Sequence, residues 1–163
     1  MEAAKIELYQ AKGADIVVQD RDGQAVLLVE VKGTKLKNQK SKEIFFSQLK
    51  SYLQNGNNHI PFAMLVDLED INIFQGDDSN LSKPVSSLKT ATVLNHYDSE
   101  FSSKRIFRPY LETLVEAWLR DLAYHWKSNT PPASEQLAAI GLLHLLEGGT
   151  TQADVELSCD SLR

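Results

Sequence analysis

The stretch Gly13–Gly33, GADIVVQDRDGQAVLLVEVKG, decides how the rest of the chain is read. Two runs rich in Val, Ile and Leu, Ala14–Asp20 and Gln24–Lys32, flank Arg21-Asp22-Gly23, and Asp-Gly between such runs is a strong hairpin signal. A two-residue turn at Asp22-Gly23 pairs Arg21 with Gln24 and, counted back along an antiparallel ladder, sets Asp15 directly opposite Glu30. Side chains alternate faces with period two, so Lys32 shares the face of Glu30 while Val31 points away. Asp15, Glu30 and Lys32 are therefore expected to converge. The other residues of both runs are almost all apolar on both faces, the pattern of inner strands covered on two sides.

Outward from this hairpin, Glu2–Lys12 reads as a short helix that Gly13 stops, and Lys42–Gln54 as a second helix ended by the Asn-Gly-Asn-Asn turn at 55–58. Pro61–Asp67 and Ile71–Gln75 read as two more strands joined by a tight acidic turn at Leu68–Asp70. The order so far is αββαββ. Residues 76–89 form a polar loop, and Thr90–Tyr97 is a strand or an irregular connection. Phe107–Trp126 carries apolar residues at 110, 111, 114, 115, 118, 119, 122 and 126, a helical period. Pro131-Pro132 breaks it, and Ser134 is expected to cap a last helix, Glu135–Glu147, that Gly148-Gly149 ends, with the final dozen residues frayed. The expectation is a single α/β domain over 1–163, with a core in 1–75 and a loop and helical extension in 76–163.

A chain of 163 residues with 42% hydrophobic and 24% charged residues can bury a real core. No apolar run approaches the roughly 20 residues that span a membrane, and the single Cys159 excludes a disulfide framework or cysteine metal cluster, so a cytoplasmic setting is expected. The net charge of −5 argues against a nucleic-acid partner until its distribution is examined. Residues 1–60 hold nine basic and seven acidic side chains, residues 61–163 eight and fifteen. Within Lys32–Lys50 there are six lysines, at 32, 35, 37, 40, 42 and 50, against one carboxylate, Glu43. Such a run is a solvated loop or a phosphate-binding patch beside the converging acids.

Phosphodiester hydrolysis needs a hard cation to polarise phosphate and supply hydroxide, and Mg²⁺ takes one or two carboxylates with water and substrate completing its shell. Asp15 and Glu30 provide that pair, and Lys32 can orient the attacking water or balance charge in the transition state. With these residues in place, Gly13-Ala14-Asp15 followed by Val29-Glu30-Val31-Lys32-Gly33 resembles the motif of the PD-(D/E)XK nucleases, the restriction-endonuclease-like superfamily. Gln48 and Tyr52 in FFSQLKSYL form a Q-x-x-x-Y pattern similar to that of RecB-type nuclease domains and the N-terminal nuclease domains of type I restriction motor subunits. The resemblance covers roughly residues 1–75. It implies a restriction-endonuclease-like αββαββ core and a Mg²⁺- or Mn²⁺-dependent nuclease acting on DNA. Asp15, Glu30 and the Val31 carbonyl would be metal ligands, Lys32 and Gln48 would be catalytic, and Tyr52 would meet the substrate; the lysine run, read from charge alone, adds Lys35 and Lys37 as expected substrate contacts. Ala14 replaces the proline of the motif, and an acid from the first helix has only Glu7 or Glu2 to represent it.

The competing class is a catalytically degenerate nucleic-acid-binding or assembly module. In it the three charged residues form a salt-bridged cluster, and the long helix mediates a homodimer or docks to a larger DNA-processing complex. His59, His96, His125 and His144 lack partner spacing and read as structural. Asp67, Glu69 and Asp70 read as turn chemistry, and Trp118 and Trp126 as core or interface residues.

Overall fold

The computed structural model describes residues 14–34, 60–75 and 83–153, together with Glu43, Ile44 and Ser47. Among the described residues six strands, β1 (Ile16–Gln19), β2 (Ala25–Val31), β3 (Phe62–Val66), β4 (Asp70–Gln75), β5 (Ser86–Lys89) and β6 (Thr150–Ala153), form one mixed sheet. Their order is β5-β4-β3-β2-β1-β6, and among them β2 and β3 pair in parallel while the other neighbours are antiparallel. The connection between the parallel strands includes helical backbone at Glu43, Ile44 and Ser47, as a crossover requires. Among the described residues the further α-helices are α1 (Thr90–Leu94), α2 (Arg108–Tyr124), α3 (Ser134–Ala139) and α4 (Leu143–Leu146), all between β5 and β6. The architecture is mixed α/β, as expected. The first helix and most of the second lie outside the described residues.

The hairpin reaches the expected register by an unexpected route. Its loop holds three residues, not two: Asp20 donates its N–H to the Gln24 carbonyl and accepts from the N–H of Gly23, which adopts φ +85. The Asp20 carboxylate also captures the N–H groups of Asp22 and Gln24, each at 2.9 Å, which favours the wider turn. The ladder then shifts between Gln19↔Ala25 and Val18↔Leu27, leaving Val26 as an extra residue on β2. The two departures cancel, and Ile16 faces Val29 as the simpler turn requires.

β2 and β3 are buried on both faces, which is why they read as unbroken apolar runs. One face packs Ile16, Val29, Val31, Met64 and Ile73 with Leu111, Val115, Trp118 and Leu122 of α2. The other gathers Ala14, Val17, Leu28, Leu65 and Phe74. Trp118 is fully buried and donates its indole N–H to the Pro132 carbonyl at 2.9 Å.

Elsewhere the segment after residue 76 departs from the sequence reading. Ser86–Lys89, expected as loop, is an edge strand on β4, and Thr90–Leu94 is a helix. Short polar edges depend on backbone pairing and carry little hydrophobic signal. β6 pairs with β1 and takes in Gln152 and Ala153, the first of the final dozen residues expected to fray, and Gly149 permits it: a Cβ there would collide with the Gln19 carbonyl. The expected helix 135–147 is broken at Gly141, whose φ is +84, and Ser134 gives its hydroxyl to the Pro131 carbonyl instead of capping. Among the described residues no helix is long and apolar enough to cross a membrane.

Candidate active site

Asp15 and Glu30 meet where β1 begins and β2 ends. Asp15 lies just before the Ile16↔Val29 pair, where the ladder gives way to side-chain bonding. Its N–H donates to the Val29 carbonyl at 2.9 Å, and its Oδ2 accepts the Val31 N–H at 2.7 Å. The carboxylate thus replaces a main-chain acceptor and is locked to the strand carrying Glu30. Lys32 continues β2 beyond Val31, its N–H reaching the Val66 carbonyl of β3 at 2.8 Å. Its ammonium stands 4.0 Å from Glu30 Oε2. The three residues expected to converge are together, with Asp15 8% and Glu30 7% exposed and the Lys32 side chain 43% exposed.

The electrostatics follow from that burial. Desolvation, then the neighbouring Asp15 charge, push the Glu30 carboxyl up to about 8, against the lowering pull of Lys32 and Arg108. Burial also raises Asp15, opposed by the Val31 N–H, Arg108 and Lys32. Glu30 Oε1 is fully enclosed and has no hydrogen-bond partner among the described residues. A buried carboxylate oxygen in that state is unfavourable until a proton or cation meets it.

Two further residues complete the cluster, and the sequence reading passed over both. Arg108, the first residue of α2, pairs through Nη2 with Asp15 Oδ1 and donates from Nε to the Val31 carbonyl at 3.3 Å. Its Nη1 lies 3.6 Å from Glu112 Oε1, one helical turn on and only 6% exposed. Gly33 makes this approach possible: a Cβ there would stand 3.0 Å from Arg108 Cβ and 3.2 Å from its backbone nitrogen. A signal was available in the chain, because an arginine in the first turn of a helix opposes the helix dipole and calls for an acid nearby. Its partner, 93 positions away in sequence, could not be read from local pattern.

The Val31 carbonyl, expected as a metal ligand, accepts Arg108 in this structure. Gln48, Tyr52, Lys35 and Lys37, and with them Glu2 and Glu7, lie outside the described residues. The acidic turn is turn chemistry as read: Asp67 Oδ1 accepts the N–H groups of Glu69 and Asp70, each at 2.7 Å. His96 meets the Ser128 hydroxyl at 2.6 Å and His125 the Ser128 carbonyl at 3.0 Å, so both rings have structural partners.

Residues 4–88, just over half of the chain, match the family model described as type I restriction enzyme R protein N terminus (HSDR_N), and the chain belongs to that family. The match contains Asp15, Glu30 and Lys32 and ends before Arg108 and Glu112. No curated protein and no solved structure matches the chain.

Proposed function

We propose that this member of the restriction R-protein N-terminal family is a divalent-cation-dependent nuclease domain of the PD-(D/E)XK type, hydrolysing DNA phosphodiester bonds within a larger DNA-processing complex. The observation that carries the reading is Glu30 Oε1, buried beside Asp15 without a hydrogen-bond partner among the described residues. Asp15, Glu30 and Glu112 set three carboxylates against the two bases Lys32 and Arg108. A proton on Glu30 balances this cluster. Replacing it with a divalent cation leaves one positive charge in excess, which suits one phosphodiester.

The residues fit such a cation: Asp15 and Glu30 would hold Mg²⁺ or Mn²⁺, with the Val31 carbonyl as a further oxygen donor. Among the described residues no three His, Cys, Asp or Glu side chains gather as a metal cage. Two carboxylates with water and substrate are the usual shell of Mg²⁺. When bound, the ion supplies phosphate polarisation and hydroxide near neutral pH. Lys32 reaches from the acids toward solvent, where its ammonium can orient water or offset charge on the scissile phosphate. Gln48, Tyr52, Lys35 and Lys37 are assigned to substrate contact on their sequence pattern alone.

The test is cleavage of single- and double-stranded DNA by wild type, Lys32→Ala and Glu30→Ala in Mg²⁺, Mn²⁺ or EDTA. We expect metal-dependent cutting that falls about 10²–10³-fold in Lys32→Ala, the scale for losing one transition-state donor. Equal activity in Lys32→Ala removes the assignment. The Asp15–Arg108 ion pair favours a second reading, a degenerate module in which the cluster is structural. DNA binding without cutting under any metal supports that second reading.

A further inference from the structure

Resting on the cation-site reading above, we propose that Arg108 is a substrate-binding residue parked on the atoms that would hold the cation, and that with a divalent ion bound its guanidinium turns to the substrate phosphate. The guanidinium uses Nη2 on Asp15 Oδ1 and Nε on the Val31 carbonyl. Asp15 Oδ2 is already committed to the Val31 N–H at 2.7 Å. Asp15 Oδ1 and the Val31 oxygen, two of the donors that would hold the cation, are therefore the atoms the guanidinium engages. Two cations a few ångströms apart repel strongly even at the effective dielectric near a protein surface. Guanidinium and ion are alternatives at these atoms.

The exchange is confined to the side chain. Gly33 packs against the Cβ and backbone nitrogen of Arg108, and Leu111, Val115 and Trp118 anchor α2 in the core, so the helix start stays put. The Arg108 side chain is 45% exposed and can swing outward, with Glu112 beside it to retain the guanidinium near the site. A planar fork of donors matches phosphodiester oxygens. The placement also accounts for an arginine where the helix dipole prefers an acid.

The experiment titrates full-length wild type, Arg108→Gln and Arg108→Lys with Mn²⁺ alone by calorimetry, then measures oligonucleotide binding in Ca²⁺ by fluorescence anisotropy. Arg108→Gln should bind Mn²⁺ about tenfold more tightly, a common size for coupled sites, and bind DNA about tenfold more weakly. Arg108→Lys keeps the charge but cannot bridge Asp15 and Val31, so it should shift both values the same way and less. A merely structural arginine would not move the two affinities in opposite directions. Mn²⁺ affinity unchanged or weakened in both variants, while Glu30→Ala abolishes binding, overturns the Arg108 proposal and leaves the cation site standing. Wild type that binds no Mn²⁺ overturns both.

Discussion

Replacing Glu30 by Gln should make the protein more resistant to unfolding, and increasingly so as pH rises. The folded-state carboxyl is raised from 4.5 to about 8, so the folded chain keeps a proton that the unfolded chain releases above pH 4.5. Below 4.5 both states are protonated and the group costs nothing. Between 4.5 and about 8 the deficit grows, and above 8 it is complete. At about 1.4 kcal/mol per pH unit the full span corresponds to about 5 kcal/mol. Relaxation and water entry reduce such penalties in proteins, and we expect about 2–4 kcal/mol. For a chain of this size that is a melting-temperature difference of roughly 5–15 °C. The assay is urea unfolding of both proteins in EDTA from pH 5 to 9. The stability gap, Gln minus wild type, should widen by that amount between pH 5 and 8.5. A gap constant within about 0.5 kcal/mol, the scatter of ordinary surface substitutions, would refute the burial argument, as would wild type gaining on the variant with rising pH.

Trp118→Ala removes a fully buried indole and leaves the Pro132 carbonyl without its donor, so denaturant unfolding should show a loss of about 3–5 kcal/mol. Gly149→Ala drives a methyl into the Gln19 carbonyl, and hydrogen exchange should report loss of protection along β6 and the outer edge of β1 before global unfolding. Asp121, buried and accepting from Tyr97 and the N–H groups of Lys127 and Ser128, should lose about 1–3 kcal/mol of stability on conversion to Ala. If Lys35, Lys37 and Lys40 meet phosphate, each neutralisation should lower the slope of log affinity against log salt by about one, and a slope independent of these residues would reassign that patch.

The amino-acid sequence by itself determined the hairpin, the apolar strands buried on both faces, the α2 helix and the convergence of Asp15, Glu30 and Lys32. These follow from periods of 2 and 3.6 and from turn residues, which act over a few positions. The register matches a two-residue turn although the loop holds three residues, because a bulge at Val26 offsets the extra loop residue. That depends on backbone hydrogen bonds at Asp20, which residue patterns do not display. The edge strands β5 and β6 are not legible in the sequence because polar four-residue segments become strands only when a neighbour supplies a ladder. Tertiary structure alone decided that Arg108 and Glu112 join the acids. Their helix is delivered to Gly33 by the packing of Leu111, Val115 and Trp118 against the sheet. Burial decided the charge state as well: a glutamate in sequence is an ordinary acid, and enclosure beside Asp15 holds its proton near neutral pH.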